Sequence, residues 1–529
     1  MHHRFLTLIF CLIIPYFSYA QPYDLIIRNG RVIDGTGNPW VYADIAIQNG
    51  RIVQVGKIAA ADAKQTIDAT GLIVAPGFID VHAHVEQSLP DQPGAPNFIY
   101  DGVTTLITGN CGGSTVKLRP YFDSLRIKGI SVNLASLIGH NTVRQKVMKM
   151  AFREPTAREQ TEMEALVEQA MKDGAVGIST GLIYTPGTYA RTPEIVNLAK
   201  MAARYGGVYA SHIRNEGQNV KQAVEEAILI SREAKIPVEI SHFKVASKPL
   251  WGKSTETVEL VEAARREGLD VTVDQYPYTA SSTSLESIIP SWALADGDSA
   301  VLVRFRNPTT RAKIQSEMLE ALAKNLRKNY EYAVVSSYKP DTTFNGMSIS
   351  AINQKLGRKN NAETEADLVM DLMERAKLKR IQMVYHTMSE TDVETILRYP
   401  NTMIASDAGV AKLGVDMPHP RAYGTNARVL GRYVRERHVI PLEEAVRRMT
   451  SLPAQRFRLT DRGLLRPGYA ADVVVFDEKT VADRATYEQP HAYTTGISWV
   501  LVNGTPIVEN GKHTGKRSGQ LLMGPGYVK

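Results

Sequence analysis

From about residue 75 to residue 455 the chain alternates short β-type runs with helical ones, and few folds tolerate that order. Nine runs read as strands: FIDVHAHV, VTTLITGN, SVNLASLIG, AVGIST, GVYASHI, PVEISHF, LDVTVDQYP, QMVYHT and TMIASD. Helical stretches such as REQTEMEALVEQAMKDG and NVKQAVEEAILISREAK lie between them, with apolar residues at helical spacing. Strand, helix, strand in succession argues for a parallel sheet, and eight such units close a (β/α)8 barrel of the TIM type. One of the nine runs is therefore surplus or lies outside the barrel. Residues 288–347 break the rhythm with RAKIQSEMLEALAKNLRKN and read as an α-rich insertion.

The two ends have another texture. Residues 21–74 read as short strands with Asn-Gly hairpin signals at 29–30 and 49–50. Residues 456–529 repeat the pattern, with Asn-Gly at 503–504 and 510–511. The expected α/β architecture is a catalytic barrel over 75–455 and one small β-sandwich built from both chain ends.

Residues 1–20 read as a signal peptide. His2, His3 and Arg4 precede the apolar run FLTLIFCLIIPYF, and Ser18-Tyr19-Ala20 offers small residues before Gln21. That run is too short to span a bilayer, and no later run of 18 or more apolar residues occurs. The mature chain is thus expected to be exported, periplasmic or secreted from a bacterium, without stable membrane insertion. A net charge of +7 over 529 residues is mild, and no basic cluster points to nucleic acid. Of the two cysteines, Cys11 leaves with the leader, so the mature chain forms no internal disulfide. Cys111 is then either a buried small hydrophobe or a metal ligand.

His82 and His84 follow one barrel-type strand and share a face, since strand side chains alternate. Two imidazoles there can hold a divalent metal, although a solvated or packed pair reads the same way. His212 and His242 end two successive strand runs, 30 residues apart, and each follows a serine. Equivalent strand ends place them at the mouth of a barrel, which makes the ligand reading of all four much stronger. Cys111 in ITGNCGG follows the second strand and supplies a thiolate suited to zinc. Asp407 follows TMIAS and suits a proton acceptor that returns the proton to a leaving nitrogen. Asp80 shares the face of His82 as a supporting carboxylate. Lys244 and Arg421 are candidates to pair with a substrate carboxylate, or are surface cations. Tyr184, Tyr276 and Tyr278 are candidate pocket phenols, or packing residues.

Together these motifs resemble the D-aminoacylase (N-acyl-D-amino-acid deacylase) family of the amidohydrolase superfamily. The likeness runs from DLIIRNGRVIDGTG through PGFIDVHAH, GNCGG, GLIYTPG, YASHIRNEG, EISHFK, YPYTAS and PHPR to MTSLPAQRFRLTDRGLLRPGYAADVVVFD. It implies a tight Zn2+ on Cys111, His212 and His242, and a second, weaker metal position on His82, His84 and Asp407. It implies that Asp407 is the catalytic base and acid, and that Lys244, Arg421 and the tyrosines bind the substrate. Cysteine stands where many amidohydrolases carry a carbamylated lysine. After Asp407 the chain reads DAGVAKLGVDMPHPR, where the family more often has a glycine next and a longer His-rich run; His419 falls here as a bystander. The implied reaction is hydrolysis of N-acyl-D-amino acids, small molecules, to a carboxylic acid and a D-amino acid. The rivals are a cyclic amidase or dipeptidase on the same site, and an inactive binding protein on the same scaffold.

Overall fold

The computed structural model describes residues 23–59 and 63–528, so the leader lies outside the described residues. Eight short parallel strands form the barrel: β1 Phe78–Asp80, β2 Val103–Thr108, β3 Asn133–Ser136, β4 Gly177–Gly181, β5 Val208–His212, β6 Val238–Ile240, β7 Val271–Gln275 and β8 Thr402–Ile404. Strand β3 resumes after Leu137 as Ile138–Gly139, which pairs with β4. Each strand pairs in parallel with the next through β8. The circle closes just past the strand ends: the Asp407 amide donates to the His82 carbonyl at 2.8 Å, and Ala83 bridges Ala408. Every strand residue of β2 and β4–β8 is buried, as strands covered on both faces must be. Closure itself is what brings His82, His84 and Asp407, more than 300 residues apart in sequence, to one mouth.

The surplus run is QMVYHT. Gln382–Tyr385 pairs antiparallel with Ser281–Ser284 and with Ala333–Ser337, outside the barrel. The insertion therefore reaches from Ser281 to Tyr385, wider than the helix-rich 288–347, and packs an apolar cluster of its own. Alternating apolar residues specify a strand but carry no information about its partner.

Both chain ends join one nine-stranded sheet, in which Ile73–Pro76 pairs antiparallel with Val473–Phe476. Residues from the two ends, among them Ile27, Ile45, Val74, Val473 and Leu501, fill its core. Asn49-Gly50 and Asn503-Gly504 are left-handed turn pairs, as the hairpin signal requires. Asn29-Gly30 is not a hairpin. It sits inside the strand Tyr23–Val32 as a bulge, where the register slips between Ile27 and Gly30. A Cβ on Gly30 would lie 2.5 Å from Val74, so glycine there serves close strand approach.

The helix Ala157–Lys172 begins with a capping box in which Thr156 and Glu159 satisfy each other's backbone amides. No described helix is long and apolar enough to cross a membrane.

Candidate metal centre

Four strand ends deliver the donor atoms. His82 and His84 follow β1, Cys111 follows β2, His212 ends β5, and His242 lies two residues past β6. The Cys111 Sγ lies 3.5 Å from His212 Nδ1, 3.5 Å from His242 Nε2 and 3.2 Å from His82 Nε2. Tetrahedral zinc, with bonds of about 2.3 Å to sulfur and about 2.0 Å to nitrogen, sets such donors about 3.5 Å apart. The donor set Cys111, His212 and His242 therefore fits zinc in spacing as well as in chemistry. Asp407 Oδ1 stands 3.0 Å from His84 Nε2 and 3.6 Å from His82 Nε2. His82, His242 and Asp407 also hold donor atoms within 4.8 Å of one another, an adjoining second position.

Cys111, His242 and Asp407 all take left-handed backbone, with φ of 51°, 36° and 52°. Three non-glycine residues in that sparsely populated region, all at one site, mark a geometry that the surroundings impose. The loop next to the thiol is packed tightly enough that a Cβ on Gly112 would meet Asn141 Oδ1 at 2.1 Å.

The amidohydrolase family matches residues 65–508 of the chain. A D-aminoacylase from Alcaligenes xylosoxydans xylosoxydans is 36% identical over 96% of this chain and 98% of its own. This chain is an amidohydrolase of the D-aminoacylase family. An N-acyl-D-glutamate deacylase from the same organism is 36% identical over 92% of this chain and 93% of its own. A solved N-acyl-D-glutamate deacylase from Bordetella bronchiseptica, complexed with zinc and a phosphonate mimic of the tetrahedral intermediate, superposes with a TM-score of 0.80. It is 35% identical, and the match covers 95% of this chain and all of that one.

In this amidohydrolase two carboxylates that the sequence reading did not single out orient the imidazoles. Asp274, at β7, sits 3.1 Å from His82 Nδ1 and accepts the His242 amide at 2.8 Å. Glu216 sits 2.9 Å from His242 Nδ1. Each fixes one ring nitrogen and so turns the other toward Cys111, the usual role of a carboxylate behind a metal-binding histidine. The signals for them were faint: Glu216 lies in the quoted SHIRNEG motif, and Asp274 in TVDQYP. Asp80 accepts the amides of His82 and Ser406, tying β1 to the end of β8.

The electrostatics follow from burial of unlike charges. Burial pushes the Cys111 thiol up, but His82, His242 and His212 outweigh it and hold the thiol well below its usual value. Burial likewise opposes ionisation of Asp407, yet Arg421 and His82 keep its carboxyl well below the usual range. Three imidazoles answer these anions, His82, His84 and His242, while burial holds His212 below its usual value; His84, disfavoured by burial but bonded to Asp407, is pushed up to about 9. A thiolate and a carboxylate at the same mouth call for compensating positive charge, which a divalent cation supplies in concentrated form.

The remaining candidates fall in different places. A cavity of about 780 Å³ opens over the centre, walled by His84, Cys111, Tyr184, Asp407 and Arg421 among others. The Tyr184 hydroxyl lies 2.9 Å from Thr283 Oγ1, and its ring packs edge-on against His212. Arg421 Nη1 is 2.8 Å from Asp407 Oδ2, and Nη2 donates to the Ser282 carbonyl at 3.2 Å. Lys244 lies off that cavity wall, paired with Glu216 at 2.5 Å. Tyr276 is buried between Lys244 and Arg421, whose cationic groups lie 5.4 Å and 4.5 Å from its ring. Tyr278 packs under Arg428 and against His419 and is not among the residues that wall the large cavity. His419 accepts the Arg421 amide at 3.0 Å and thereby shapes the loop that carries the arginine.

Proposed function

We propose that this enzyme hydrolyses the amide bond of N-acyl-D-amino acids, releasing a carboxylic acid and a D-amino acid. The observation that carries the reading is the convergence of Cys111, His212 and His242 beside Asp407 on a substrate-sized cavity. Similarity to curated D-amino-acid deacylases along almost the whole chain supports the substrate class and its hand. Zinc is the cofactor, held by Cys111, His212 and His242, with His82, His84 and Asp407 available to a second ion. A zinc ion so placed lowers the pKa of water toward about 7 and acts as a Lewis acid.

The chain's own groups do the rest. Asp407 is ionised, so it takes the proton of the attacking water and hands it to the amide nitrogen as the C–N bond breaks. The Tyr184 hydroxyl, kept protonated by burial and the neighbouring thiolate, is a donor for the carbonyl oxygen as charge builds there. Arg421 makes its ion pair with Asp407 out of hydrogen-bond alignment, so its Nη1 donors remain for the substrate carboxylate while Nη2 is held by Ser282.

A panel of N-acetyl amino acids of both hands, with a hydantoin and a dipeptide alongside, tests this on protein whose zinc content is measured. Turnover of D but not L derivatives is expected. Hydantoin or dipeptide turnover without deacylation would replace this reading with a cyclic amidase or a dipeptidase.

We also propose that the enzyme works outside the cytoplasm. The basic start, the apolar run and Ser18-Tyr19-Ala20 support this. The mature chain, recovered from a bacterial periplasm or medium, should begin at Gln21; an intact Met1 on exported protein, or retention in the cytoplasm, would defeat it.

A further inference from the structure

We propose that Glu286 makes this enzyme selective for N-acyl-D-amino acids whose side chain is cationic. The inference rests on the deacylase reading above and names the substrate class within it.

The insertion strand Ser281–Ser284 runs along the mouth of the site. Its Ser282 carbonyl accepts from Arg421, and its Thr283 hydroxyl meets Tyr184. Glu286 follows two residues later and lines the same cavity. If Arg421 holds the substrate carboxylate, the amino-acid moiety lies beside this segment, and Glu286 is the carboxylate that the segment adds to the cavity wall.

Glu286 differs from the other carboxylates on that wall. Asp407 is paired with Arg421. Glu86 accepts the Thr108 hydroxyl at 2.6 Å and the Gly109 amide at 2.5 Å, both on Oε1. Among the described residues Glu286 has one hydrogen bond, a 3.3 Å contact from the Ser284 hydroxyl, and no ion pair. A half-buried carboxylate with one long hydrogen bond and no ion pair is costly, and donors from a ligand relieve that cost. Burial accordingly pushes its carboxyl up, with Arg380 pulling the other way.

Arg380 lines the same cavity and is the cation that acts on Glu286, but it is exposed where Glu286 is half-buried. Its Nε donates to Gln382 Oε1 at 3.0 Å, and it forms no ion pair among the described residues. Solvent screens an exposed charge far more than a withdrawn one, so of the two charges Glu286 weighs more on a ligand group that reaches this wall. An ammonium or guanidinium reaching Glu286 makes a charge-assisted hydrogen bond, worth about tenfold to a hundredfold in binding.

The test compares kcat/KM for the N-acetyl derivatives of D-lysine, D-arginine, D-norleucine and D-glutamate on zinc-loaded enzyme. The lysine-to-norleucine ratio is expected to be about ten or more, and to fall to near one in Glu286→Gln. Because it is a ratio, it does not depend on how much of the variant folds. Arg380→Gln is expected to raise it. A ratio near one in the native enzyme, or one unmoved by Glu286→Gln, overturns the inference while the deacylase reading stands. So does a preference for the glutamate derivative that Arg380→Gln abolishes, which would make Arg380 the reader. No turnover of any of the four derivatives removes the deacylase reading, and this inference with it.

Discussion

Asp407→Asn is expected to lower turnover of N-acyl-D-amino acids by about 10²–10⁴-fold, the range that a positioned acid–base group contributes. Zinc bound to Cys111, His212 and His242 should stay, because Asp407 is no part of that donor set. Asparagine keeps the shape of the side chain but cannot take a proton from water. It also leaves Arg421, 4% exposed, without its 2.8 Å counter-ion. Thermal stability should therefore fall too, since a buried charge stripped of its partner is strongly destabilising. Kinetics, zinc analysis and a melting curve on one sample separate the two effects. Near-native turnover would take Asp407 out of the mechanism. Lost turnover together with lost zinc would make it a structural ligand instead.

Cys111→Ser is expected to strip the tight zinc and reduce turnover to background. A serine hydroxyl stays protonated at neutral pH, so the centre loses one negative charge and its softest donor. The native thiol gives a second readout. With three imidazoles facing it, Cys111 is held as thiolate and borders the open cavity. After chelation it should react rapidly with a thiol reagent near neutral pH, and added zinc should protect it. Full zinc content in the serine variant, or a thiol equally reactive with and without chelator, would show that Cys111 does not hold the metal.

The barrel was legible because strand and helix alternate with different periods, and because parallel strands buried on both faces read as apolar runs. The candidate ligands were legible for a related reason. The mouth of a barrel lies at the strand ends, so His82, His212 and His242 betray themselves by position. What the sequence misjudged were particular partners. QMVYHT has the texture of a barrel strand but pairs inside the insertion. Asn29-Gly30 has the texture of a hairpin but is a bulge. Lys244 read as a partner for a substrate carboxylate or as a surface cation; it is buried, and its charge is matched by Glu216 from the preceding β5 loop.

The sequence alone determined which side chains could bind a metal and on which strand ends they stand, since residue chemistry and periodicity are local properties. Only the tertiary structure decided which carboxylate faces which imidazole. Asp274 and Glu216 orient His82 and His242, Arg421 holds Asp407, and Glu286 makes no ion pair among the described residues. Such pairings are fixed when the barrel closes and the insertion folds over its mouth. They join residues far apart along the chain, where no local pattern records the meeting.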